Sequence, residues 1–199
     1  MCPIQRKLKV ILFSKPSQAT PIEERSPLSL NNVGIEYVTS YKCLGFTLDQ
    51  HLDYSLHLKD ICRKINYGLQ IMRRVNVYLP KESLILLANS LVLSHLDYCS
   101  PILYNLNCGQ LDILLKLQKQ CARIIFGYDR RTHSKPLFIQ LNWLPLHQRI
   151  EYNICLLLYK VNNNIAPPYL SDMFVKTAEV HQHRTRAAVN SHFFKVRGT

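Results

Sequence analysis

Polar side chains, most of them positive, recur between Asp53 and Val75 at helical spacing: Lys59, Arg63, Asn66, Gln70 and Arg73 follow one another at intervals of three or four, with Lys64 and Arg74 beside them. Lys116, Lys119 and Arg123 repeat the arrangement farther along. The chemistry such stripes support is recognition rather than bond making. Ammonium and guanidinium groups hold a row of phosphates by charge, without reading bases. Two such faces in one small domain suit a groove that holds a strand, with Tyr67 or Tyr78 supplying a surface for base stacking. The same composition also describes an ordinary solvated face, and aromatics in a helical domain serve more often in the core or at its rim.

Bond-making chemistries find less support. His51 and His57 lie near Asp49 and Asp53, and His181 and His183 lie in the basic C-terminal stretch. Neither group has a recurrent metal-ligand spacing, so no metal site is expected. His95 and Asp97 are two apart and point to different sides of a helix, and no nucleophile-elbow turn supports a Ser, His and Asp triad. The six glycines are scattered, with no phosphate-cradling loop of the P-loop or dinucleotide kind. Polymerase chemistry needs carboxylates converging on paired divalent ions, and the chain has no Asp-Asp, Asp-Glu or Glu-Asp doublet. Its one acidic pair, Glu23 and Glu24, sits in a Pro-rich connector and reads as surface charge. No catalytic residue and no cofactor is assigned.

The whole chain carries the sign of the stripes. Lys and Arg number 25 against 13 Asp and Glu, a net charge of +12, which points to a polyanionic partner. With 199 residues, 47% of them hydrophobic, the chain suffices for one substantial core or a core plus an appendage. Seven cysteines occur singly, at Cys2, Cys43, Cys62, Cys99, Cys108, Cys121 and Cys155, as reduced intracellular thiols would. No N-terminal stretch has signal-peptide character, and Asn89, Ser90 and Ser94 interrupt the apolar run from Leu84 to Leu96. A cytoplasmic or nuclear protein without a membrane span is expected.

These side chains need elements to position them. Leu8 to Phe13, Val33 to Val38 and Tyr41 to Leu48 read as strands, and Ser14 to Asn32, with Pro16, Pro21 and Pro27, reads as a connector. From Asp53 the period becomes helical: Leu58, Ile61, Ile65, Leu69 and Met72 form an apolar stripe opened by Asp53 or Ser55. Pro80 opens a second helix with Leu84, Leu87, Ala88 and Leu91 inward and Leu86, Val92 and Leu93 widening the face. A third runs from about Gln110 to Phe126. Leu111, Leu114, Leu115, Gln118, Cys121, Ala122 and Ile125 point inward, Asp112 lies in the first turn, and Gly127 is the stop. Pro136 and Pro145 open further helices, the second carrying Ile150, Ile154, Leu157, Leu158 and Val161 and ending at Asn162 to Asn164. A short Tyr169 to Val175 segment follows Pro168, and then a basic tail with Lys176, Arg184, Arg186, Lys195 and Arg197. The expected fold is mainly α with a small β portion (α+β), in three parts: strands in 1–52, a helical domain in 53–175 and a tail in 176–199.

The segment Thr39 to Asp49, TSYKCLGFTLD, followed by HLDYSLHL, resembles the region after the palm of non-LTR (LINE, jockey-like) retrotransposon reverse transcriptases. SHLDYCSPILY, LQKQCARIIFG, LNWLPLHQR and LLLYKVNNNIAPPYL then follow in that family's order, LKVILFS resembles its last palm strand, and HRTR its tail. The resemblance implies a helical thumb that grips primer and template. It places Tyr41, Cys43, Leu44 and Gly45 at the primer-grip turn, with Cys43 where the family usually has tyrosine and Gly45 giving the growing strand close approach. It also implies that the aspartate-bearing palm strands, with the Mg2+ of an intact polymerase, belong upstream of Met1, the palm and fingers being the natural covalent partner. Two alternatives stand beside this reading: a basic helical interaction or scaffold protein, and a truncated retroelement product without a role.

Overall fold

The computed structural model describes residues 8–14, 26–30, 33–176 and 194–196. Pro16, Pro21, Glu23, Glu24, His181, His183, Arg184, Arg186 and Arg197 lie outside them. The chain divides into two compact units, Met1–Gln148 and Arg149–Thr199. The fold is mainly helical with a few short strands, the α+β class expected from the sequence.

In the first unit, β1 (Lys9–Val10) runs parallel to β3 (Val33–Tyr37), and β2 (Leu28–Leu30) lies antiparallel on the other side of β3. β2 falls where the sequence reads as connector; Leu-Ser-Leu is too short a run to show a period, and pairing with Val33 to Ile35 supplies its structure. β4 (Ser40–Cys43) and β5 (Phe46–Asp49) form a hairpin whose two turn residues, Leu44 (φ 48°) and Gly45 (φ 84°), are both left-handed. A side chain at Gly45 would meet nothing nearer than the Tyr98 ring at 3.7 Å, so the glycine serves the turn conformation rather than a crowded approach. The Tyr98 hydroxyl donates to the Leu44 carbonyl and fastens the hairpin tip to the helices.

The other end of the hairpin starts the first helix. The Asp49 carboxylate, 7% exposed, accepts the backbone N–H groups of His51 at 3.0 Å, Asp53 at 3.2 Å and Tyr54 at 2.9 Å. Asp53 in turn accepts the Ser55 N–H at 2.8 Å, and that bond chiefly holds its carboxyl below the usual range. Helix α1 (Ser55–Val75) therefore begins after a left-handed Tyr54, with its opening held by carboxylates. Its predicted stripe of Leu58, Ile61, Ile65, Leu69 and Met72 is buried, each such side chain contributing about 1.5–3 kcal/mol. His57 and Gly68 join it.

Gly68 decides how closely the next element packs. A Cβ there would lie 2.8 Å from the Leu91 carbonyl oxygen and 3.0 Å from the Leu91 Cβ. Leu91 belongs to a π-helical segment, Asn89–Leu93, between α2 (Lys81–Ala88) and α3 (Ser94–Asp97). The wider turn shifts the apolar face, so that Leu84 and Ala88 before it, Val92 and Leu93 within it and Leu96 after it are all buried. Leu86, expected to widen that face, is instead 69% exposed.

After α4 (Ser100–Leu103), helix α5 (Cys108–Phe126) opens with a capping box: Asn107 accepts the Gln110 N–H at 2.9 Å, and the Gln110 side chain accepts the Asn107 N–H at 3.0 Å. The helix begins earlier than the apolar period indicates, which moves Asp112 out of its first turn. Leu117 and Ile124 are buried with the predicted Leu114, Gln118, Cys121, Ala122 and Ile125. Gly127 (φ 67°) ends α5, and α6 (Lys135–Leu141) follows. Helix α7 (Leu146–Asn162) carries the boundary between the units. In the second unit Ile150 and Val161 are buried, and Leu157, expected inward, is 37% exposed. After α8 (Pro168–Ser171), β6 (Phe174–Lys176) pairs antiparallel with β7 (Phe194–Val196), so strand structure enters the stretch expected to be only a tail.

Two expected outcomes follow from this packing. Gly68→Ala should destabilise the fold by about 1–3 kcal/mol in urea unfolding, because backbone meets the added methyl and overpacking outweighs the gain in helix propensity. His57 lies on the Phe46 ring at 3.8 Å between centroids, its Nδ1 accepts the Thr47 N–H at 3.4 Å, and burial lowers its pKa. Its folded pKa lies below the ordinary value of about 6.5, so stability is present above that pH and falls as the solution is acidified towards the folded pKa. Thermal melts between about pH 7.5 and 5 should show that loss, and His57→Gln should reduce the slope.

Candidate nucleic-acid interface

Helices α1 and α5 lie side by side in the same direction. Gln110 donates to the Asp53 carbonyl at 3.3 Å near their starts, and Asn76 donates to the Ile124 carbonyl at 3.5 Å near their ends. Between these ties the Cys121 Sγ meets the Met72 Sδ at 3.8 Å, both side chains fully buried. Burial pushes the Cys121 thiol up to about 12, which keeps it neutral and unreactive.

On the solvent side of this contact lies a groove of about 600 Å³. Arg73 comes from α1, Lys116, Gln120, Arg123 and Ile124 come from α5, and Tyr128, Asp129 and Arg130 come from the loop after it. Four cations thus share one lining with a single carboxylate. The loop is shaped by Gly127, after which the Tyr128 N–H returns to the Arg123 carbonyl at 2.9 Å. The Arg123 Nε–H donates to the Thr132 carbonyl at 2.9 Å and holds the far end of the loop. Tyr128 stacks on Phe126 with centroids 5.9 Å apart and planes 10° from parallel, and the Lys81 ammonium sits 3.7 Å from the centre of the Phe126 ring.

Of the cations singled out from the sequence, the structure brings Arg73, Lys116 and Arg123 together. Lys59, Arg63, Lys64 and Arg74 are exposed along α1 outside the groove lining, and Arg63 pairs with Asp60 at 3.1 Å. Lys119 turns to a different cleft of about 450 Å³, with Leu115, Lys135, Phe138 and Trp143. Tyr67 and Tyr78 are 67% and 84% exposed, yet neither lines the groove. Its aromatic is Tyr128, which the helical pattern passes over because it follows the stop at Gly127; the signal was the run Gly127 to Arg131, GYDRR. Tyr41, Cys43, Leu44 and Gly45 lie together at the exposed hairpin, apart from the groove lining. Among the described residues no three His, Cys, Asp or Glu side chains are grouped to hold a metal, and no helix is long and apolar enough to cross a membrane.

The arrangement offers fixed positive charge and an aromatic surface, a chemistry suited to an anion. No protein-family model, curated protein or solved structure matches the chain. Arg123 has a structural duty that Lys116 lacks in this geometry. Arg123→Met should therefore cost about 1–3 kcal/mol and speed tryptic cleavage after Arg130 or Arg131, whereas Lys116→Met should do neither. Chemical denaturation and limited proteolysis check both.

Proposed function

We propose that this chain binds the backbone of a nucleic acid in the groove between α1 and α5, as the thumb of a reverse transcriptase of the non-LTR retrotransposon kind. The observation that carries the reading is the meeting in one lining of Arg73 from α1 with Lys116, Arg123 and Arg130 from α5 and the loop after it, two stretches widely separated in sequence. A row of cations held by packed helices engages phosphates without reorganising, and each contact releases counterions to the solvent. The chain-wide charge of +12 adds long-range attraction to the same partner. The family resemblance supplies the occupant: a primer–template, gripped behind an active site that another part of a polymerase provides. The chain's own task is position and retention rather than bond making.

Four engaged phosphates give a log–log dependence of affinity on salt of about −3 to −4. Filter binding of a labelled primer–template between about 50 and 200 mM salt should show that slope. Lys116→Glu combined with Arg130→Glu should flatten it by about two and weaken binding more than tenfold, with the helical circular dichroism unchanged. Binding that ignores both salt and the double variant would sink the reading.

A further inference from the structure

The groove holds more than charge, and its aromatic is prepared in advance. Tyr128 is 53% exposed, lines the groove with the cations, and has its orientation set from behind. Phe126 lies parallel to it, and the Lys81 ammonium rests over the Phe126 ring. The backbone is fixed as well, by the left-handed Gly127 and by the bond from the Tyr128 N–H to the Arg123 carbonyl. A tyrosine immobilised in this way loses little further freedom when a second flat ring covers it, which favours stacking.

We infer that the groove takes an unpaired nucleotide, its base stacked on Tyr128 and its flanking phosphates on Lys116, Arg73 and Arg130. The inference rests on the nucleic-acid reading above and narrows it from backbone in general to single-stranded segments. In a duplex the bases face one another and offer no free ring to a side chain at the backbone. In an unpaired strand each base has a π-face, and a basic groove with an aromatic platform holds it with little sequence preference. The Phe126 and Lys81 backing has a defined part in this. A cation over Phe126 draws on that ring's electrons, and Phe126 fixes the plane that Tyr128 presents.

The test uses the full chain and three fluorescein-labelled probes: a twelve-nucleotide oligodeoxythymidine, the same length with abasic sites at its centre, and a blunt duplex of two complementary strands. Anisotropy titrations should rank the thymidine strand above the other two by about tenfold, within the range that one stacked base contributes. Tyr128→Ala should remove that preference, and Tyr128→Trp should keep it. The abasic probe tests stacking without altering the protein, so a poorly folding Tyr128→Ala does not blunt the experiment. Equal affinity of the wild-type chain for thymidine and abasic strands overturns the stacking inference, even where salt dependence and the Lys116 and Arg130 charge reversals uphold backbone binding. Absence of salt-dependent binding to all three probes overturns both.

Discussion

The packing of α1 against α5, at whose centre the Cys121 and Met72 sulfurs meet 3.8 Å apart and wholly buried, fixes where the groove cations stand. Everything proposed for the molecule depends on that contact. Arg73 is the residue after Met72, and Lys116, Gln120 and Arg123 lie within about one turn and a half of Cys121. A shift of the helices by one residue would move Arg73 out of reach of the α5 cations. Methionine and cysteine suit the place, since the polarizable thioether fills irregular space and the neutral thiol packs as a small hydrophobe.

The rest of the first unit keeps α1 in register for that contact. At its start the Asp49 carboxylate gathers three backbone N–H groups, so the polar ends left by the turn are satisfied without water and the hairpin and helix move together. In its middle Gly68 lets the Leu91 backbone come closer than any side chain allows. The π-helical segment carrying Leu91 is a departure from regular helix, and it reconciles two apolar stretches that fall out of phase on an ideal helix. A local distortion thus keeps Leu84 and Leu96, which a regular helix would leave about 120° apart, on the same buried side.

The long helices were legible in the sequence because α1 and α5 repeat their apolar residues through about four turns, which no short-range accident reproduces. The strand Leu28–Leu30 was not, because three residues are too short a run to show a period, nor was the pairing of Phe174–Lys176 with Phe194–Val196, whose order comes from a partner outside the local stretch. Of the site, Lys116 and Arg123 were legible as one stripe: seven residues bring a helix back to within about 20°. The sequence spacing groups Lys119 with them, but three residues leave it about 60° from Lys116, in the cleft it lines with Leu115 and Trp143. Arg130 and Tyr128 lay beyond the reach of helical periodicity altogether.

The parallel course of α1 and α5 bears on which cations are free to act on a ligand. Both helices end near the groove, so both present the negative end of their dipoles there. Arg73 and Arg74 occupy the last turn of α1 and Arg123 the last turn of α5, where such charges are favourable even without a ligand. Arg123 is further engaged by the Thr132 carbonyl. Part of the positive field at these positions therefore serves the helix ends. Lys116 differs, since it stands more than two turns upstream of Phe126, where the dipole effect has fallen away. Its charge has no comparable internal use, and it projects into the same groove. A surplus cation beside an aromatic ring held in place from behind is what separates this groove from an ordinary solvated helix face.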